Sequence, residues 1–314
     1  MKKAVLIFLV LSLVTACGRG MKSTAPAPRS FGKVSVPALV TDPGAKLQYV
    51  LEHYWDAFFE GTGPTDGSSV LGVPKGEFEQ ALSSFCALML EAPVETAKSA
   101  AEKMFDALEM KQAEDTSNHI YPVVTEMVAK YFYDPNSPLR DEDVYLPFVR
   151  RMADSRFTDE DSRVAYRYEA KMCALNPRGS EAPDFAFRDL KGRTLRLSDV
   201  KADHIILFFS NPGCKACKDI EDELKAPVYM EDAVKSGKIA VVSIYIDGEI
   251  DKWKAYAPSY PDYWVAGYDA AGLIRSETLY EVRAIPSLYL LDKDRRIVLK
   301  DAPTTRALRY IENN

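Results

Sequence analysis

Residues 204–217 read His204-Ile205-Ile206-Leu207-Phe208-Phe209-Ser210-Asn211-Pro212-Gly213-Cys214-Lys215-Ala216-Cys217. The first six, nearly all apolar, have the length and composition of a strand covered on both faces. Ser-Asn-Pro-Gly is a turn sequence, and the acidic segment beyond it carries a helical pattern to about Lys235. A buried strand running through a tight loop into a helix is the opening half of a strand–helix–strand unit. That geometry puts Cys214 and Cys217 on the first turn of the helix.

Downstream, residues 239–246 form a second apolar run, and 287–291 and 296–299 are two more, separated by Asp292-Lys293-Asp294-Arg295 as in a hairpin. Upstream, Phe185 and Phe187 alternate, as do Leu195 and Leu197, with Gly192 between them at a turn. Strands alternating with helices and closing on a hairpin predict an α/β domain over residues 177–314, an open mixed sheet flanked by helices.

Residues 43–176 follow a different period. Leu47, Val50, Leu51, Tyr54, Trp55 and Phe58 recur at helical spacing and predict one helix with a buried face. Further helices are expected over 75–91, 94–112, 117–132, 141–154 and 159–175, with breakers at 61–64, Pro93 and 134–138. The fold class is therefore two-domain, an all-α domain followed by an α/β domain. The chain of 314 residues, 47% apolar with net charge -6, is long enough for two cores and is not the composition of a disordered chain. The acidity is concentrated: residues 43–176 hold 13 basic and 23 acidic side chains, residues 177–314 hold 21 and 22. This balance argues against a nucleic-acid partner.

At the N-terminus, Lys2 and Lys3 precede an apolar stretch of about a dozen residues, short of the roughly 20 that span a bilayer, so residues 1–16 read as a secretory signal. The segment ends Val14-Thr15-Ala16-Cys17, which resembles the lipobox of bacterial lipoproteins and implies cleavage behind Ala16 and a lipid on Cys17. The alternative is an ordinary cleaved signal. Gly18, where Asp would signal inner-membrane retention in many Gram-negative bacteria, favours the outer membrane. The expected location is the cell envelope, lipid-anchored outside the cytoplasm. Residues 17–42, with Pro26, Pro28 and Pro37 and no amphipathic period, read as a flexible tether.

Three chemistries suit the pair Cys214 and Cys217: a redox couple, half of a zinc site, or an inert disulfide. Structural zinc needs four ligands, but there is no second CxxC and His53, His119 and His204 are isolated, so no metal or other cofactor is expected. A structural disulfide across so small a loop constrains the unfolded chain little. A thiol at a helix N-terminus meets unpaired N–H groups that stabilise its thiolate, which suits redox work. Lys215 adds a modulating positive charge beside the pair.

Glu181-Ala182-Pro183-Asp184-Phe185, Gly192, Leu197-Ser198-Asp199, the CxxC and Ala284-Ile285-Pro286-Ser287 together resemble extracytoplasmic thioredoxin-like proteins of the TlpA/ResA type, over about residues 179–314. The helical segment, with the sequence Tyr131-Phe132-Tyr133-Asp134-Pro135-Asn136-Ser137-Pro138, is similar to an uncharacterised domain that precedes such modules in Bacteroidota lipoproteins. The resemblance implies a thiol-disulfide oxidoreductase in which Cys214 is the nucleophile and Cys217 the resolving thiol. Pro286 would be a cis-proline opposite the pair, and Ile285 and Gly213 would bind substrate. The implied partners are disulfide-bearing proteins and an electron donor.

Departures from the pattern are specific. Gly213 stands where thioredoxins have Trp, and Phe208 where they have a buried acid. Some relatives carry Glu three residues after the second cysteine, but that position is Ile220. Asp219 and Glu221 flank it; either could take that role, but both read first as solvated helix-surface charges, leaving Cys217 without an identified proton acceptor. Peroxiredoxins have Thr or Ser three residues, and Pro seven residues, before the reactive cysteine; Asn211 and Leu207 occupy those positions. A second class of function stays open, an assembly lipoprotein whose acidic helical domain docks a partner while the thioredoxin-like module is a scaffold. Cys86 and Cys173 lie in apolar helical contexts and read as core thiols, with a disulfide between them as the alternative.

Overall fold

A computed structural model describes residues 28–314. The signal, Cys17 and the start of the tether lie outside the described residues. In the helical domain α1 (Pro43–His53) and α2 (Asp56–Phe59) precede a ribbon of β1 (Ser69–Val70) and β2 (Val73–Pro74), then α3 (Lys75–Glu91), α4 (Val94–Glu114), α5 (Ile120–Phe132), α6 (Glu142–Asp154) and α7 (Glu160–Cys173). Side chains set several starts: Asp42, Asp141 and Asp159 each accept a hydrogen bond from the backbone N–H three residues on.

Two details differ from the sequence reading. The helix expected through Phe58 breaks after His53, because the Lys103 ammonium takes the Glu52 carbonyl and His53 bonds Asp56 at 2.7 Å. The domain also is not purely helical, since Leu71 and Gly72 both take positive φ and fold 69–74 into a short antiparallel ribbon. Trp55, Phe58, Phe78, Phe85 and Phe105 fill a single core, with Cys86 and Cys173 inside it as free buried thiols.

The α/β domain contains β3 (Ala186–Asp189), β4 (Thr194–Arg196), β5 (His204–Phe209), α8 (Lys215–Lys225), α9 (Met230–Lys235), β6 (Ile239–Tyr245), α10 (Ile250–Tyr256), β7 (Val265–Tyr268), α11 (Leu273–Ser276), β8 (Ser287–Asp292), β9 (Ile297–Leu299) and α12 (Thr304–Asn313). Pro227 divides the helix expected to run to Lys235 into α8 and α9. Leu197 begins a single 3-10 turn instead of extending β4. The sheet order is β4-β3-β7-β6-β5-β8-β9, with β5, β6 and β7 parallel and the other pairings antiparallel. On central β5, Ile205, Leu207 and Phe209 enter one core and Ile206 the opposite one, so both faces are covered as the apolar run required.

The domains meet through buried charge at the start of α6. Asp141 caps the helix with one carboxylate oxygen while Arg178 and Arg306 bind the other. Glu142 lies 3.0 Å from Arg283 Nε and 3.3 Å from Lys300 Nζ. Arg283 donates to Asp301 at 2.8 Å, and Lys300 donates to the carbonyls of Cys173 and Leu175. Burial pushes the Glu142, Asp143 and Asp301 carboxyls up, and their cationic neighbours oppose it.

Such a network adds little net stability but is costly to break, because removing one member strands a buried charge. Lys300, 3% exposed, is the sharpest case. Lys300→Met is expected to cost about 3–5 kcal/mol, read as a lower urea midpoint; an unchanged midpoint would mean that the ion cluster does not hold the domains together.

A candidate redox site

Strand β5 delivers the site. It ends at Phe209, opposite Ser287 of antiparallel β8, so the loop leading to Cys214 lies beside Pro286 just before β8. The Ile285–Pro286 peptide bond is cis. Gly213 has φ +75°, a left-handed conformation in which any other residue would be strained. That turn makes Cys214 the N-cap of α8.

Cys214 is half-buried, and its Sγ accepts a hydrogen bond from the Cys217 backbone N–H at 3.1 Å. Cys217 lies one turn in, 1% exposed, its Sγ 3.5 Å from the donating Asn211 N–H. Both are free thiols. Burial first, then the Cys214 hydrogen bond, pushes the Cys217 thiol well up, and the nearby Glu221 charge adds to it. The pair is asymmetric: one accessible sulfur held by a helix N-terminus, and one shielded sulfur that resists ionisation.

The setting behind Cys217 corrects the reading of Glu221 as a solvated charge. Glu221 is 2% exposed and accepts a hydrogen bond from the Tyr256 hydroxyl at 3.0 Å. Burial pushes its carboxyl up, with the Tyr256 bond and Lys218 opposing, while Tyr256 itself rises to about 12. The spacing held the signal, since Cys217, Glu221 and Leu224 fall at i, i+4 and i+7 on the buried face of α8. Asp219 is exposed as expected and takes the Lys215 ammonium at 2.7 Å, so the charge assigned to modulating Cys214 is offset locally.

Sequence reasoning missed the polar groups around the loop. Ser210 Oγ shares hydrogen bonds of 2.9 Å with Ser243 Oγ and the Tyr260 hydroxyl. The Asn211 amide donates to Asp247 at 2.6 Å, and Asp247 takes Arg275 at 2.7 Å. Asn211 and Leu207, the positions at which a peroxidase would differ, are engaged here in fixing the loop and in the buried strand. Among the described residues no group of three or more His, Cys, Asp or Glu side chains is placed to hold a metal ion.

A seven-stranded mixed sheet flanked by helices, with a CxxC at the start of a helix beside a cis-proline, defines a thioredoxin-like module. The AhpC/TSA family model matches residues 178–300, and the model of a domain of unknown function, DUF5106, matches residues 13–176. The chain belongs to the thioredoxin-like proteins that carry an N-terminal DUF5106 domain. A crystal structure of a thioredoxin-like protein from Bacteroides caccae ATCC 43185 is 30% identical, with TM-score 0.75 over 91% of this chain and 99% of that one.

The thiol-disulfide oxidoreductase ResA of a Bacillus cereus strain is 27% identical over 122 residues, 39% of this chain and 68% of that protein. The thioredoxin-like protein YneN of Bacillus subtilis (strain 168) is 28% identical over 115 residues, 37% of this chain and 65% of that protein. This chain thus spans about two thirds of the length of these curated relatives. The named oxidoreductases and the thioredoxin-like neighbour support an oxidoreductase activity.

Proposed function

We propose that this chain is a thiol-disulfide oxidoreductase that exchanges disulfides with proteins through Cys214 and Cys217. The observation that carries the reading is the asymmetry of the pair, an accessible helix-capping thiol one turn before a buried one, beside the cis Ile285–Pro286 bond. The Cys214 thiolate attacks one sulfur of a substrate disulfide; that bond breaks, a mixed disulfide forms, and the other substrate sulfur leaves as a thiolate. Cys217 then loses its proton and attacks Cys214 Sγ, releasing the second substrate thiolate. Two electrons have passed to the substrate, and the chain holds a Cys214–Cys217 disulfide.

Glu221 is the group we assign to receive the Cys217 proton: it is buried, one helical turn from Cys217, and its carboxylate ionises at higher pH than an ordinary Glu. Gly213 and the backbone of Ile285 are the surfaces assigned to an extended substrate. Return of the pair to the thiol form needs a two-electron thiol donor. The signal-like segment and Val14-Thr15-Ala16-Cys17 support placement outside the cytoplasm on a lipid anchor at Cys17. Among the described residues no helix is long and apolar enough to cross a membrane.

The direct assay is thiol-driven reduction of insulin, followed as turbidity. The chain is expected to shorten the lag at catalytic concentration, and a lag equal to that of dithiothreitol alone would sink the reading.

A further inference from the structure

We propose that the cleft between the two domains is the second half of the substrate site, binding the polypeptide that flanks the reacting cysteine. It would take an apolar side chain against Tyr133, Pro135 and Tyr168 and a basic one against Glu281. The proposal rests on the oxidoreductase reading above and gives the DUF5106 domain a part in it.

The cleft is an open cavity of about 610 Å³, walled on one side by Tyr133, Pro135 and Tyr168 and on the other by segment 274–283, including Arg275, Glu281 and Val282. It adjoins the redox site along two routes. Val282 and Arg283 run directly into Ile285 and Pro286. Arg275 binds Asp247, Asp247 binds Asn211, and the Asn211 N–H meets the Cys217 sulfur. These two connections are the ground for placing the continuation of a peptide extended along the cis-proline loop in this space.

The walls are held in place before any ligand arrives. The Arg283 guanidinium lies 3.8 Å from the Tyr133 ring centroid and binds Glu142 and Asp301 within the buried network. A preformed site avoids the ordering cost of binding, and the volume is that of a pocket for a few side chains.

The chemistry of the lining selects the occupant. Tyr168 is 61% exposed, and Val164, one turn earlier on the same face of α7, is 62% exposed. They form an apolar strip on the rim of a strongly acidic domain. Glu281 is half-buried; Arg283 and Lys300 act on its carboxyl at longer range, but among the described residues it forms no direct ion pair. Burial also pushes its carboxyl up. Arg275 and Arg283 on the same wall are already held by Asp247, Glu142 and Asp301, so a basic side chain on the ligand would give Glu281 a direct ion pair, and the charge of residues 43–176 attracts the same sign.

The test uses the full chain and three substrates: a disulfide peptide with Leu and Lys flanking its cysteine, a matched peptide with Ser and Glu, and hydroxyethyl disulfide. The Leu/Lys peptide is expected to exceed the Ser/Glu peptide in kcat/KM by about tenfold, equivalent to about 1.4 kcal/mol. Tyr168→Ala is expected to lower the ratio of Leu/Lys peptide to hydroxyethyl disulfide by several-fold, chiefly through KM. Glu281→Gln should narrow the Lys-over-Glu preference by a similar factor. Wild-type indifference to the flanking residues, or an unchanged preference in both variants, overturns the proposal while leaving the oxidoreductase standing. A chain inert toward all three substrates overturns the oxidoreductase reading and this proposal with it.

Discussion

Cys217→Ser is expected to convert the chain from a catalyst into a trap. Cys214 in this variant still caps α8 and still faces solvent, so attack on a substrate disulfide proceeds. Resolution does not, because a serine hydroxyl cannot displace the substrate sulfur, and the mixed disulfide accumulates. The readout is a set of higher-mass species on non-reducing gels that disappear with dithiothreitol. Cys214→Ser and the double variant should form none, and turnover should fall to the uncatalysed rate, since covalent catalysis has no route without its nucleophile. A scaffold, the competing reading, would leave Cys214 dispensable and trap nothing. Normal function of the Cys214→Ser variant would decide for that reading.

Glu221→Gln is expected to slow resolution while sparing the first attack. A positioned proton acceptor contributes about 10²–10⁴-fold. The substitution also removes a nearby negative charge that holds the Cys217 thiol up, an opposing gain worth about tenfold for each 1.4 kcal/mol. The acceptor loss is the larger, so the net expectation is a fall of about tenfold to a hundredfold. Single-turnover measurements should show mixed disulfide forming at the wild-type rate and decaying slowly. The pH profile of decay should lose the rise that tracks Glu221 ionisation.

Stability moves the other way. Burial raises the Glu221 carboxyl, so the folded chain holds that proton more tightly than the unfolded chain. The stabilising contribution is complete below the ordinary carboxylate range and lost as pH rises through the raised value. The neutral amide escapes that loss. The variant should match wild type near pH 4 and gain stability over it at pH 8 in urea unfolding. A rate and a stability that both stay unchanged would place Glu221 outside the mechanism.

The central strand and the active-site loop were legible because their signals are local. Five apolar residues after His204, bounded by a charged turn and Ser-Asn-Pro-Gly, leave few alternatives, and β5 occupies the same residues that the pattern marks. Helices α3, α4 and α6 were equally plain, since Pro74, Pro93 and Asp141 mark their starts.

What was hidden depends on distant contacts. Strand β7 reads Val-Ala-Gly-Tyr and has little strand character; a Cβ on Gly267 would sit 2.3 Å from the Phe187 ring, so packing against β3 dictates the residue that conceals the strand. The β1–β2 ribbon turns on Leu71 in the left-handed region, where sequence preference expects Asn, Asp or Gly. Residue type alone left Glu221 and Asp219 as equal alternatives and favoured solvent for both, although the spacing of Glu221 from Cys217 placed it inside. The union of the domains through Asp141, Glu142, Arg178, Arg283, Lys300 and Arg306 joins side chains more than a hundred residues apart in several pairs, and no sequence period announces it.

Whether Cys214 and Cys217 form a working redox couple can be read from a thiol–disulfide equilibrium. The most direct test is equilibration of the full chain with graded mixtures of reduced and oxidised glutathione, followed by alkylation of free thiols and mass measurement. One reversible two-electron transition is expected at these two cysteines, between about −120 and −270 mV, the span of disulfide exchange proteins, with Cys86 and Cys173 remaining shielded thiols. A pair that stays a disulfide below about −300 mV, as structural disulfides do, or one that never closes, would contradict it.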